Sequence, residues 1–288
     1  MTSLSLAPSV GRLPSRRRLP RPGHLGPAAA VLFLALLSIA ALAPHLLIHT
    51  DPLAIAPREA FHAPSMAHPF GTDQSGRDIL ARVIYGARQS LALGCGAITL
   101  SLSIATILAL IGGLGGHIAE QGVRWLIDIL FAFPVLVLAL LCTATLGSGI
   151  GPLIVAIGVS SAAGYTRMVF GQVLSVRGAG YVEAARALGH SPARIVVRHI
   201  LPNAFRPLVV TATMGAGQTV VWSAALSFLG LGAPPPAAEW GTMLSMGRDF
   251  IAEAWWMTFF PGLAIVVTML STTIAGRALQ RAIEGRGS

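Results

Sequence analysis

Long apolar stretches dominate the chain, and polar residues collect between them rather than alternating within them. About 20 apolar residues at about 1.5 Å rise match a hydrocarbon layer of about 30 Å, so each stretch predicts a membrane-crossing helix. The first runs from Ala28 to Ile48. Five more follow, over about Ser90–Gly116, Trp125–Leu146, Ile150–Phe170, Pro207–Gly232 and Ala254–Gly276. Residues 1–27 precede them, rich in Pro, Ser and Arg and without apolar period, the composition of a disordered tail. Arginines ahead of an apolar run also fit a signal peptide, and Ser15 to Arg18 faintly resembles a twin-arginine signal. The run exceeds the usual signal-peptide core of about 7 to 15 residues and further spans follow, which favours an uncleaved first span.

Composition agrees with an all-α integral membrane protein. Of 288 residues, 54% are hydrophobic and 11% charged, against roughly 25% charged in globular chains. All 20 basic side chains are arginine. Without lysine the chain can form neither a Walker A phosphate loop nor a Schiff base. The formal charge of +9 is better explained by basic loops beside a membrane than by nucleic-acid binding. Cys95 and Cys142 lie in apolar runs without metal or redox spacing, so buried free thiols are expected.

Six spans fix alternating loops. With the Arg-rich tail in the cytoplasm, fifteen arginines fall inside and five outside (Arg58, Arg77, Arg82, Arg88 and Arg248). Seven acids, among them Asp73, Asp78 and Glu239, accompany the outer five. This asymmetry predicts both termini in the cytoplasm. The expected organisation is a tail over 1–27, a first transmembrane helix over 28–48 and an extracytoplasmic loop over 49–89. A five-helix core over 90–276 carries a cytoplasmic loop at 171–206, and a cytoplasmic tail closes the chain over 277–288.

No convincing inverted repeat relates the halves. Within the spans the charged groups are Asp128 and Arg167, both near a cytoplasmic end, and Arg124 stands one turn before Asp128 at pairing distance. Ion-coupled carriers keep ionisable groups at mid-membrane, so this distribution argues against an autonomous channel or secondary carrier. No nucleophile-base or metal constellation suggests an intramembrane enzyme.

Two polar segments carry most information. Between His68 and Leu91, Gly71 and Gly76 suit turns, and Ile79, Leu80, Val83, Ile84, Ala87 and Leu91 form an apolar stripe with Arg82 and Arg88 off it. That pattern predicts an amphipathic elbow helix leading into the second span, with direct substrate contact as the alternative. In the long cytoplasmic loop, helix formers run from Val182 to Leu188, Gly189 suits a left-handed C-terminal cap, and Ser191-Pro192 starts a second helix that stops at Pro202. The small side chains of Ala184, Ala185 and Ala187 would let another protein approach closely, but an ordinary connector has the same look.

Glu183-Ala184-Ala185, Gly189 six residues after the Glu, and Leu201-Pro202 resemble the EAA loop of bacterial ABC importer permeases. His199 stands at the usual Ile position, with Ile200 next. Arg198-His-Ile-Leu-Pro-Asn203 is similar to the form used by the dipeptide/oligopeptide/nickel subfamily, and the outer phrase containing Gly71-Thr-Asp73 and Gly76-Arg-Asp78 resembles that subfamily's signature. Further phrases match in order: Asp128 to Pro134, Leu226 to Gly232 with Glu239-Trp-Gly241, and Pro261 to Ala264. The resemblance spans about Ala28 to Arg286. Where such permeases carry an acidic, Asn-containing stretch after the last span, this chain has Thr272-Thr-Ile-Ala-Gly-Arg277.

The resemblance implies a type I ABC importer permease fold of six transmembrane helices in the bacterial inner membrane. It implies ATPase coupling through Glu183, Ala184, Ala185, Gly189, Leu201 and Pro202. The implied partners are a second homologous permease, two ATP-binding subunits that hold ATP and Mg, an extracytoplasmic solute-binding protein and the lipid bilayer. The resemblance implies no cofactor on this chain itself.

Other residues are less decisive. Gln218, Thr219 and Ser223 on the fifth span either line a pathway or bond neighbouring helices, with packing favoured. His45, His49, His62 and His68 lack metal-ligand spacing. Gly112 to Gly116 lacks the Lys-Ser/Thr of a phosphate loop and suits close helix packing, and Pro234 to Pro236 stiffen the last outer loop. Short peptides are favoured over nickel or another small solute. A bare Ni²⁺ path would offer imidazole or carboxylate ligands, whereas the spans offer amides and hydroxyls such as Gln218, Thr219, Ser223, Thr268 and Ser271.

Overall fold

The computed structural model describes residues 25–284. The expected N-terminal tail therefore lies outside the described residues except for Leu25, Gly26 and Pro27, which already belong to a helix. Ten α-helices make up the described chain, and among the described residues there is no β-strand beyond one isolated bridge between Thr72 and Asp78. Helix α1 covers Leu25–Leu42 and ends where Pro44 begins a 3₁₀ turn. Helix α2 runs over Ile79–Leu114, α3 over Gly116–Phe131, α4 over Val135–Leu146 and α5 over Ile150–Arg177. The short α6 (Gly180–Ala187) and α7 (Pro192–Ile195) lead through a π-helical turn at Val196–Ile200 into α8 (Leu201–Phe228). Helices α9 (Trp240–Gly247) and α10 (Trp256–Glu284) complete the chain.

Among the described residues four helical stretches are long and apolar enough to cross a membrane, or five if α3 and α4 count as one broken span, and α1 is a shorter apolar helix. Large apolar side chains such as Phe259, Leu263, Val266 and Leu270 line the outside of α10. Buried positions instead include small and hydroxylated residues, among them Ala97, Ser101, Ala105, Thr166 and Thr219. That arrangement suits a lipid solvent, where close packing and internal hydrogen bonds hold helices together.

Several boundaries differ from those the sequence predicts. Helix α2 starts at Ile79 and continues unbroken for 36 residues, so no separate elbow helix precedes the second span. Asp78 caps it, accepting a hydrogen bond from the Ala81 amide at 2.8 Å. The third span is not one helix. Phe133 and Pro134 interrupt it, and α3 and α4 meet at 89°, because proline has no amide proton to continue the ladder. Conversely, the helix in the long loop does not stop at Pro202. The Leu201 amide bonds back five residues to the Val196 carbonyl, and this widened turn carries the chain past the proline ring. Helix α10 likewise runs through Arg277 into the segment expected to be a tail.

Three buried clusters divide the interior. One joins α1, α2, α8, α9 and α10 around Trp240 and Trp256. Another joins α2, α3, α5 and α8 to the α6–α7 loop at the opposite end. The third lies between, where α4 meets α2, α5 and α8.

Candidate functional site

The α6–α7 loop is packed against one end of the helix core. Helix α6 turns Val182 and Ala185 into the cluster containing Phe170, Val173, Ile195, Ile200 and Ala204. On its other face Tyr181, Glu183, Ala184, Ala187 and Leu188 are exposed. Ala185 is thus part of the core, while Glu183 and Ala184 belong to the free surface. Glu183 lies in the first turn of α6, where the helix dipole favours an acid.

Gly189 has φ of +74°. Its amide bonds to the Arg186 carbonyl at 3.0 Å, and the His190 amide bonds to the Ala185 carbonyl at 3.1 Å. These two bonds form a Schellman motif, which closes the helix and reverses the chain. Ser191 then caps α7 by accepting from the Arg194 amide at 3.4 Å, and Pro192 occupies the first turn. Leu201 is half-buried, Pro202 exposed. His199 packs against the rings of His190 and Tyr181, with centroids 6.0 and 6.3 Å away. At the base of the loop Arg177 donates to the Gly113 carbonyl at 2.8 Å, tying the end of α5 to that of α2.

The segment between α1 and α2 folds inward at the opposite end. The Oδ1 of Asp73 accepts from the amides of Ser75 and Arg77 at 2.8 and 3.0 Å. Arg82, expected off the apolar stripe, is 1% exposed. Its guanidinium lies 3.8 Å from the Asp73 carboxylate and donates to the Ala237 carbonyl at 3.1 Å. Trp256 Nε1 donates to the Thr72 carbonyl at 3.0 Å. Buried Glu239 caps α9, accepting from the amides of Gly241 and Thr242, each at 2.8 Å. The Asp73 Oδ1, Arg82 and Glu239 groups bond within the fold, while Asp73 Oδ2, Gln74 Oε1 and Arg77 Nε are buried without a hydrogen-bond partner.

Thr219 and Ser223 on α8 are fully buried. Thr219 donates to the Gly94 carbonyl of α2 at 2.7 Å, and Ser223 to the Val220 carbonyl at 2.9 Å. Gln218 is half-buried. Thr268 donates within α10, to the Ala264 carbonyl at 2.7 Å, and Ser271 is buried. A cavity of about 250 Å³ lies beside the α3–α4 bend. Ser160, Ser161, Gly164 and Tyr165 of α5 line it with Trp222 of α8 and Phe131. Sequence reasoning missed these residues because a lone Ser or Tyr in an apolar run carries no spacing signal. Asp128 pairs with Arg167 at 3.2 Å, not with Arg124, which bonds Glu120 at 2.8 Å. Cys95 is exposed and Cys142 half-buried, contrary to the expected buried thiols. Among the described residues no three His, Cys, Asp or Glu side chains stand close enough to share a metal ion.

The family model described as binding-protein-dependent transport system inner membrane component matches residues 85–286. The chain belongs to this family. The dipeptide transport system permease protein DppC of Alkalihalophilus pseudofirmus is 39% identical over 88% of this chain and 83% of that protein. The glutathione transport system permease protein GsiD of Pectobacterium atrosepticum is 36% identical over 91% of this chain and 87% of that one. The inward-facing MetNI methionine ABC transporter shares the fold, with a TM-score of 0.59 over 71% of this chain and 97% of that chain at 22% identity. As an inner membrane component of a binding-protein-dependent ABC system, this permease is a multi-pass membrane subunit without catalytic activity. Such a system implies ATPase and binding-protein partners.

Proposed function

We propose that this permease forms half of the pathway of an ATP-driven importer of short peptides, with six crossings and both termini in the cytoplasm. A second homologous permease supplies the other half. Two ATP-binding subunits dock on the α6–α7 loop, and an extracytoplasmic solute-binding protein delivers cargo. The cargo assignment rests on one observation: relatives 36 to 39% identical over most of the chain are named for dipeptide and glutathione transport.

Other features support the arrangement. Helix α1 has 18 residues, about 27 Å at 1.5 Å each, close to a thin bilayer's hydrocarbon thickness, so it can supply the sixth crossing. Arginine is concentrated on the side that carries the α6–α7 loop. On that loop Glu183 and Ala184 form an exposed charged and small-residue face, Gly189 sets its exit direction, and Leu201 and Pro202 carry it into α8.

The test is uptake by the complete complex in proteoliposomes, comparing labelled di- to pentapeptides with radioactive nickel, free and chelated. ATP-dependent accumulation of peptide is expected. Nickel uptake without peptide uptake overturns the cargo assignment, and peptide entry without ATP makes the chain an autonomous carrier.

A further inference from the structure

The wall of the cavity beside the α3–α4 bend carries a buried hydroxyl without a protein partner, as α8 does at Ser227. Ser160 is 3% exposed, and its hydroxyl has no hydrogen-bond partner. Its neighbours behave otherwise: Ser161 donates to the Ile157 carbonyl at 2.6 Å, and Thr166 to the Ala162 carbonyl at 2.7 Å. Buried hydroxyls in helices normally find such a partner, so an unused one on a cavity wall is a donor in waiting. One turn on, a Cβ added at Gly164 would meet nothing within 4 Å, which leaves that wall open.

Arg167 follows Ser160 and Gly164 on the same face of α5, at seven and three residues' distance. Its guanidinium lies over the Phe131 ring at 4.2 Å and meets Asp128 at 3.2 Å. Both partners of this pair are more than half exposed, at 58% and 68%. Ionisable groups on membrane-spanning helices turn away from lipid, toward water or another chain. The pair stands beside the cavity rather than in its wall, joined to it through Phe131, whose ring the Arg167 guanidinium covers.

We propose that this cavity is a station for a zwitterionic peptide in transit. Arg167 receives the free carboxylate in its planar fork, Asp128 receives the ammonium, and the Ser160 hydroxyl donates to a peptide carbonyl. The rings of Phe131, Tyr165 and Trp222 hold an apolar side chain. Opposite charges replace each other as the peptide enters, so net charge is unchanged and the exposed ion pair is readily exchanged. This inference rests on the peptide reading above.

The test uses the complete complex with Ser160→Cys in a chain whose Cys95 and Cys142 are replaced by Ala. Reaction of the new thiol with a small cationic methanethiosulfonate reagent is followed with and without millimolar dipeptide and its binding protein. Dipeptide is expected to slow the reaction about fivefold, and Arg167→Gln or Asp128→Asn to abolish that protection relative to each variant's own peptide-free rate, as for loss of one charge-assisted contact. No reaction, or a rate indifferent to dipeptide, overturns the station. Protection that survives both substitutions overturns the role of the pair. Failure of the unaltered complex to take up any peptide instead overturns the cargo assignment beneath it.

Discussion

Trp240 donates its indole Nε1 proton to the Val83 carbonyl at 2.9 Å, joining residues 157 positions apart. This bond fastens α9 to the first turns of α2, and the Trp240 amide adds a second through the Ser90 hydroxyl at 3.0 Å. The contact is possible because residue 86 is glycine: a Cβ there would lie 1.9 Å from the Ala238 carbonyl oxygen.

Gly86→Val is therefore expected to separate α9 from α2 and to destabilise the protein by about 3 kcal/mol, the upper end for overpacking a tight site. Trp240→Phe, which removes the donor and shrinks a fully buried ring, costs about 2–3 kcal/mol. Thermal unfolding in detergent checks both. Equal stability of Gly86→Val and the unaltered protein would contradict this packing.

Arg82 and Asp73 lie 3.8 Å apart, both buried. Arg82→Gln leaves Asp73 with Arg77 at 3.6 Å and strands the Ala237 carbonyl. A cost of about 2 kcal/mol is expected, below the roughly 3 to 5 for breaking a close buried pair because Arg77 remains. An unchanged unfolding temperature would mean that the pair is already solvated.

At Gly189 nothing lies within 4 Å of an added Cβ, so the cost of substitution is conformational rather than steric. Gly189→Asn should be tolerated, whereas Gly189→Val costs roughly 1–2 kcal/mol or more for the left-handed conformation and tilts α6. The expected readout is near-normal ATPase stimulation by loaded binding protein for Asn and a severe loss for Val, with both chains inserted in the membrane. Glu183→Lys should also lower stimulation, through the surface it alters. Normal stimulation in Gly189→Val and Glu183→Lys would remove α6 from the coupling route.

Orientation is testable with single cysteines at two exposed sites, Ala187 and Pro235. Cys95 must first be replaced, since it is itself exposed. In intact cells an impermeant thiol reagent is expected to label position 235 and spare 187. The reverse pattern would invert the topology.

Apolar run length and arginine asymmetry by themselves determined the helical membrane class, because lipid demands long apolar helices with internally bonded backbones. The cap at Gly189 and the Ser191-Pro192 start were also legible, since they depend on local backbone preferences. Tertiary structure decided whatever depended on neighbours distant in the chain. Arg82 reads as a surface charge until Asp73 and Ala237 enclose it. Asp128 has Arg124 one turn away in sequence, yet Arg167 reaches it across the α3–α5 contact. Thr219 reads from the sequence as facing either a pore or a helix, and in the fold its hydroxyl donates to the Gly94 carbonyl of α2. Pro134 bends the chain and Pro202 does not, because the π-helical turn before Pro202 makes room for the ring. Residue type sets what a side chain can bond, and only the folded chain sets which partner arrives first.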